Sequence, residues 1–185
     1  LAAQLGVTNF FQNLLNLGAK VDSRDNWGRT ALTLCLHSAL KNPEYRTNKL
    51  SSVFGLLKQF PVSYMAKSRL IKVSSRPVEF VLLQLLWQRY FSGAITNQAI
   101  GPSYYLLTAD TLAELIQDFP EDVIPPQRKK RNYLSAILSK NEVQGSDPYN
   151  RGLFVRKSRC EYVLNPHISF EIAEDTWVSI KDLLQ

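Results

Sequence analysis

Phe10-Phe11-Gln12-Asn13-Leu14-Leu15-Asn16-Leu17-Gly18-Ala19-Lys20-Val21-Asp22-Ser23-Arg24-Asp25-Asn26-Trp27-Gly28-Arg29-Thr30-Ala31-Leu32-Thr33-Leu34-Cys35-Leu36 is the stretch on which the fold of this 185-residue chain turns. Its apolar residues Phe10, Phe11, Leu14, Leu15 and Leu17 fall at i, i+1, i+4, i+5 and i+7, one face of a helix. Gly18 follows directly, where a helix stops in the left-handed conformation. A polar run from Lys20 to Arg29 comes next, with Asp25-Asn26-Trp27-Gly28 reading as a tight turn. Thr30 then caps a second helix that holds Ala31, Leu32, Leu34, Cys35 and Leu36.

This pattern resembles the ankyrin repeat. The family runs from a helix ending in Leu-Leu, through Gly-Ala-Asp-Val-Asn, to Asp-x-x-Gly-x-Thr-Pro-Leu-His-x-Ala. Here the matching residues are Leu14-Leu15, then Gly18-Ala19-Lys20-Val21-Asp22, then Asp25 to Cys35. Ala31 stands where the family has proline and Thr33 where it has histidine, so that histidine's usual hydrogen bonds to the turn are not expected. Leu1-Ala2-Ala3-Gln4-Leu5-Gly6 resembles the end of a repeat's first helix. A longer insert, Lys41-Asn42-Pro43-Glu44-Tyr45, precedes a helix over Asn48 to Phe60, which looks like a final, atypical repeat. Such arrays need about three or more stacked units. We therefore expect both that repeats precede Leu1 in a longer protein and that the rest of the chain caps the stack. The resemblance implies a protein partner, with Arg24, Asn26 and Trp27 at the turn tip as contact residues. Trp27 has two readings, packing onto the next repeat or an exposed anchor.

Beyond residue 60, Pro77 suits the first turn of a helix that continues from Val78 to Phe91 and ends at Gly93. Its run from Phe80 to Trp87 is apolar nearly all round, which predicts a central, buried helix. Tyr104 to Leu107 reads as a short strand or an extended lead-in; Tyr104 and Tyr105 are read as core, with base stacking as the alternative. Thr108 or Asp110 caps a helix through Phe119, with Leu112, Leu115, Ile116 and Phe119 inward. Pro120 breaks it, and Pro125-Pro126 opens a third helix near Gln127 to Lys140 with Leu134, Ile137 and Leu138 on the core. Leu153-Phe154-Val155 and Cys160 to Leu164 read as two strands about a turn at Lys157-Ser158-Arg159. Three helices followed by a hairpin, over about Val78 to Pro166, resemble the winged-helix family. That match rests on element order.

The net charge is +6 and the pI about 9.4, which favours acidic partners. The positive charge is concentrated: Pro125 to Cys160 holds 9 basic residues and only Glu142 and Asp147 as acids. Family resemblance implies that the third helix enters the DNA major groove and that the hairpin touches the backbone. With Leu134 set on the core, the outward face of that helix is Arg128, Lys129, Asn132, Ser135, Ala136 and Ser139. Asn and Arg are suited to reading adenine and guanine. Lys129 and Arg131 flank the face for phosphates, with Arg156, Lys157 and Arg159 on the wing. Against this stands a plainer reading, a solvated basic helix start whose charges oppose the helix dipole and need an offset. The run Pro125 to Arg131 also has the composition of a nuclear-import signal.

Other chemistries find little support. Cys35 and Cys160 make no disulfide framework, and His37 and His167 lack partners at metal spacing, so no metal or cofactor is expected. No Gly-rich phosphate loop, His-Glu-x-x-His, Gly-x-Ser-x-Gly or Cys-x-x-Cys occurs, so no catalytic residue is assigned and no small-molecule substrate is expected. No apolar run approaches the roughly 18 residues of a membrane span. The tail from Glu174 to Leu184 is expected as an acidic helix packing Trp177, Ile180 and Leu184. The expected fold class is thus mainly α, with ankyrin-type helix pairs over 1–60, a winged-helix domain over 61–170 and the tail over 171–185. The expected function is a non-enzymatic adaptor: the repeats bind a protein and the winged helix docks on duplex DNA. The alternative is a purely protein-binding module whose winged helix caps the stack. An intracellular setting is expected, nuclear in a eukaryote and cytoplasmic otherwise.

Overall fold

The computed structural model describes residues 1–60, 62–73, 78–95, 106–173 and 175–184. Its N-terminal part is made of short helices: α1 (Ala2–Leu5), α2 (Thr8–Asn16), α3 (Ala31–Lys41), α4 (Pro43–Asn48) and α5 (Leu50–Leu57). α1 packs against α3 and α2 against α5, so one pair of helices lies on the next. The end of α2 follows the expectation closely. Gly18 adopts φ 84°, the Gly18 amide donates to the Leu15 carbonyl and the Ala19 amide to the Leu14 carbonyl. These two bonds satisfy carbonyls that the helix end leaves open. At the start of α3 the Thr30 hydroxyl accepts from the Thr33 amide and the Thr33 hydroxyl accepts from the Thr30 amide, a closed capping box. The insert expected before the next helix is itself helical. Asn42 accepts from the Glu44 and Tyr45 amides, and Pro43 takes the first helical position, where its missing N–H costs nothing.

The fold is not mainly α. It is α+β, with a four-stranded antiparallel sheet in the order β2-β1-β5-β6 and a two-stranded sheet β3-β4. β1 (Val62–Ala66) and β2 (Arg69–Val73) form a hairpin over Lys67 and Ser68, both at positive φ. β5 (Ser169–Ala173) and β6 (Thr176–Ser179) form a second hairpin, and β1 joins β5 at Met65 opposite Ser169. The sheet therefore unites the segment just after the N-terminal helices with the C-terminal segment, and β5 runs through the expected boundary between 170 and 171. The helix expected from Glu174 to Leu184 is a strand and a short 3₁₀ turn, Asp182–Leu184; Glu174 itself lies outside the described residues. Trp177, Ile180 and Leu184 are spaced for a helix, but Thr176, Trp177 and Val178 suit a pleated strand, and pairing with β5 decides between them.

α6 (Val78–Ile95) runs beyond Gly93, where the sequence predicts its end, and every residue from Phe80 to Gln88 is buried. Pro77, Tyr104 and Tyr105 lie outside the described residues. Trp87 and Tyr64 both meet the Phe170 ring edge-on, at 4.8 and 5.1 Å between centroids, so helix α6 and both hairpins share one core. A buried polar thread crosses it: the Thr33 hydroxyl donates to the Gln84 carbonyl oxygen, and the Gln84 amide donates to the Tyr64 hydroxyl. Burial pushes the Tyr64 phenol well above its usual range. The remaining elements are α7 (Ala109–Ile116), α8 (Arg131–Lys140), β3 (Phe154–Ser158) and β4 (Glu161–Leu164). Thr108 caps α7 through the Thr111 amide. Just before it, Leu107 bridges antiparallel to Tyr162, which ties the α7 lead-in to β4. Among the described residues, no helix is long and apolar enough to cross a membrane.

Candidate nucleic-acid interface

The basic segment starts differently from its expected form. Pro125 and Pro126 fix φ, and Pro126–Arg128 makes a 3₁₀ turn; Lys130 then takes an extended conformation before α8 begins at Arg131. Arg128 and Lys129 are therefore not on the helix whose outward face they were expected to share. Lys129 has a definite task. Its Nζ donates to the Gln117 and Phe119 carbonyls, at 2.8 and 2.5 Å, where α7 ends. A cation there completes open carbonyls and complements the negative end of the helix dipole. This is the offset that a basic run at a helix start requires. It engages two of the three Lys129 ammonium donors within the fold.

On α8, Leu134 and Leu138 are fully buried and Ile137 nearly so. Arg131, Asn132, Ala136 and Ser139 are exposed and Ser135 is half-buried, so the expected outward face is open from Arg131 onward. Arg131 Nε lies 2.7 Å from Asp110 Oδ1, a pair exposed on both sides; such pairs stabilise little. From the hairpin, Arg156 points back at the helix. Its Nε is 3.2 Å from Glu142, one Nη donates to the Tyr162 hydroxyl at 2.6 Å and reaches Ser139 Oγ at 3.3 Å, and its guanidinium stands over the Tyr162 ring. The Tyr162 hydrogen bond, and then Glu142, hold its proton more firmly than usual. The hairpin turn is displaced by a residue from its expected place: β3 continues through Ser158, and Cys160 takes the turn at φ 66°.

These groups meet in one hollow of about 170 Å³ between the start of α7, the open row of α8 and the hairpin. Arg131, Ser135 and Ser139 from α8 and Arg156 and Arg159 from the hairpin line it, so two consecutive elements of the chain converge there. Lys157 is exposed but follows Arg156 on the strand and is not among the lining residues. Arg128, Lys130, Lys157 and Arg159 make no ion pair among the described residues. Sequence reasoning missed Tyr162, Glu142 and Asp110, the groups that orient or neutralise the arginines. Tyr162 becomes the cross-strand neighbour of Arg156 only through the observed register, because the expected turn at Lys157-Ser158-Arg159 sets Arg156 opposite Cys160.

At the other end of the chain, the turn forms as read. Asp25 accepts from the Trp27 and Arg29 amides and holds the Arg29 guanidinium at 2.7 Å. Asn26 and Trp27 are exposed, Trp27 at 39%. Arg24, expected at the partner face, turns inward instead. Its guanidinium donates to the Gly28 and Ser63 carbonyls and lies over the Phe170 and Tyr64 rings. Burial lowers its pKa, against the opposing pull of Tyr64. Arg24 thus staples the turn to the sheet. Among the described residues no group of three or more His, Cys, Asp and Glu side chains is placed to hold a metal ion. In comparisons with known proteins, no family model matches the chain, and no curated protein and no solved structure matches it significantly.

Proposed function

We propose that this chain is a non-enzymatic adaptor in which α7, α8 and the β3–β4 hairpin dock on duplex DNA while the N-terminal helix pairs hold a protein partner. The observation that carries the DNA reading is the convergence of Arg131, Arg156 and Arg159 beside an uncovered α8 face. A helix followed by a basic hairpin resembles the winged-helix arrangement, and the Leu107–Tyr162 bridge fits the order of its elements. Asn132, exposed on α8, is the side chain free to meet base edges, with Ser135 half-buried beside it. Arg128, Lys130, Lys157 and Arg159 supply counterion release. On the partner side, the reading rests on the stacked helix pairs and on Asn26 and Trp27 at the turn tip.

A purely protein-binding role is the second reading. It is favoured by the internal engagement of Lys129, Arg131 and Arg156, which leaves fewer cations for a phosphate backbone. Fluorescence anisotropy with a random duplex of about 20–25 base pairs over a salt series separates the two. For the DNA reading, affinity falls with salt, and Arg128→Ala/Lys130→Ala and Lys157→Ala/Arg159→Ala each flatten the slope by about one or two units. Absence of binding at low salt, or indifference to both pairs, rejects it in favour of the second.

A further inference from the structure

We infer that the hollow between α7, α8 and the β3–β4 hairpin is an oxoanion subsite that grips a single phosphodiester of a nucleic-acid backbone. This rests on the docking reading above and adds where one phosphate is held and which uncharged groups orient it.

Three features of the hollow point to that ligand. The first is the row Arg131, Ser135 and Ser139, spaced four residues apart on α8, so that one guanidinium and two hydroxyls stand in line on one face. Arg156 and Arg159 face this row from the hairpin. The second is the state of the donors. Tyr162 Oη and Ser139 Oγ each accept from Arg156, which leaves their own hydrogens to donate into the hollow. Asp110 meets Arg131 at Nε, Glu142 meets Arg156 at Nε, and one Nη of Arg156 serves Tyr162 and Ser139; the remaining Nη groups make no hydrogen bond among the described residues. Arg159 keeps its whole fork, the geometry that matches a phosphate's oxygens. The third is charge. Three guanidiniums and no carboxylate line the hollow, while Asp110 and Glu142 each meet one guanidinium from outside the lining, so the hollow is positive and favours an anion.

The decisive substitutions remove hydroxyls and leave every charge in place. Tyr162→Phe keeps the buried ring, and Ser135→Ala/Ser139→Ala keeps the helix. Both are checked for folding by circular dichroism and then titrated as full chains with the random duplex. Each is expected to weaken binding about tenfold, the worth of a hydrogen bond to a charged group, with the salt slope unchanged. Arg159→Ala is expected to weaken binding and also to lower the slope by about one. If the wild-type chain binds duplex and both hydroxyl variants bind equally well, the subsite is wrong while the docking reading stands. If the wild-type chain does not bind duplex, the docking reading fails and nucleic acid is overturned as the ligand. Dimethyl phosphate is then titrated against the chain by NMR. Shifts of the Ser135 and Tyr162 amides that disappear in the hydroxyl variants keep the hollow as a phosphodiester-type site for another ligand, and no shifts remove it altogether.

Discussion

His37 sits half-buried on α3 with Nε2 enclosed and, among the described residues, without a hydrogen-bond partner. Burial, assisted by Lys41 and Arg29, pushes its pKa down to about 4. A histidine in the unfolded chain titrates near about 6.5. Between these values the unfolded state binds the extra proton, so stability is complete above about pH 6.5 and falls as the pH drops towards about 4. Urea midpoints measured across that window should decline for the wild-type chain and stay flatter for His37→Leu; parallel curves would remove His37 as the cause. The neighbouring Cys35 shows the same physics on a thiol, which burial pushes up to about 12, away from reactivity at neutral pH. Arg24 is the counterexample at this scale. It is a cation in a polar loop, legible as a contact residue, yet its surroundings of two carbonyls and two aromatic faces turn it into an internal staple. No local pattern announces such a role, because Ser63, Tyr64 and Phe170 come from other elements.

At the scale of elements, caps and breakers were readable because they act over a few residues. Thr30, Thr108 and Gly18 each govern bonds within their own turn, whereas the helix that Asn42 and Pro43 start was read as an insert. The length of α8 was not, since an Arg-Lys-Lys-Arg run has good helix formers and only the extended Lys130 separates the 3₁₀ turn from the helix. Two glycines that look alike in sequence differ in what surrounds them. Gly18 at φ 84° has open space where a Cβ would stand, whereas Gly28 at φ 69° would place a Cβ 2.9 Å from the Phe170 ring. Gly18→Ala should therefore cost about 1 kcal/mol, the left-handed penalty alone, and Gly28→Ala about 3 kcal/mol through added steric displacement of a buried ring. Denaturant titrations of the two variants check the order. Equal losses would mean that the turn and the Phe170 ring separate without cost.

At the scale of the molecule, the C-terminal hairpin closes the core on which the N-terminal helices and the turn rest. Ile168, Phe170 and Ile180 are buried, and Phe170 touches Gly28, Arg24, Tyr64 and Trp87. Removing 167–185 should therefore abolish the cooperative transition of the whole chain and not merely trim an acidic tail. Near-ultraviolet and far-ultraviolet circular dichroism should follow one coincident unfolding curve in the intact chain, and the shortened chain should lose its near-ultraviolet signal. A shortened chain that melts like the intact one would make the hairpin an appendage. Short-range features are legible in the residues alone: the helix pair and turn of residues 10–36, the caps, the buried character of α6, and the basic segment with its hairpin. The candidate set of Arg128, Lys129, Arg131, Asn132, Ser135, Arg156, Lys157 and Arg159 also includes the Arg131, Ser135, Arg156 and Arg159 that line the hollow. Long-range packing settled that Thr176–Ser179 is a strand, that β1 and β5 meet, that Arg24 and Lys129 make internal hydrogen bonds, and that Tyr162 faces Arg156. Strand pairing and side-chain satisfaction depend on partners distant in the chain, and local propensity differs by too little energy to choose them.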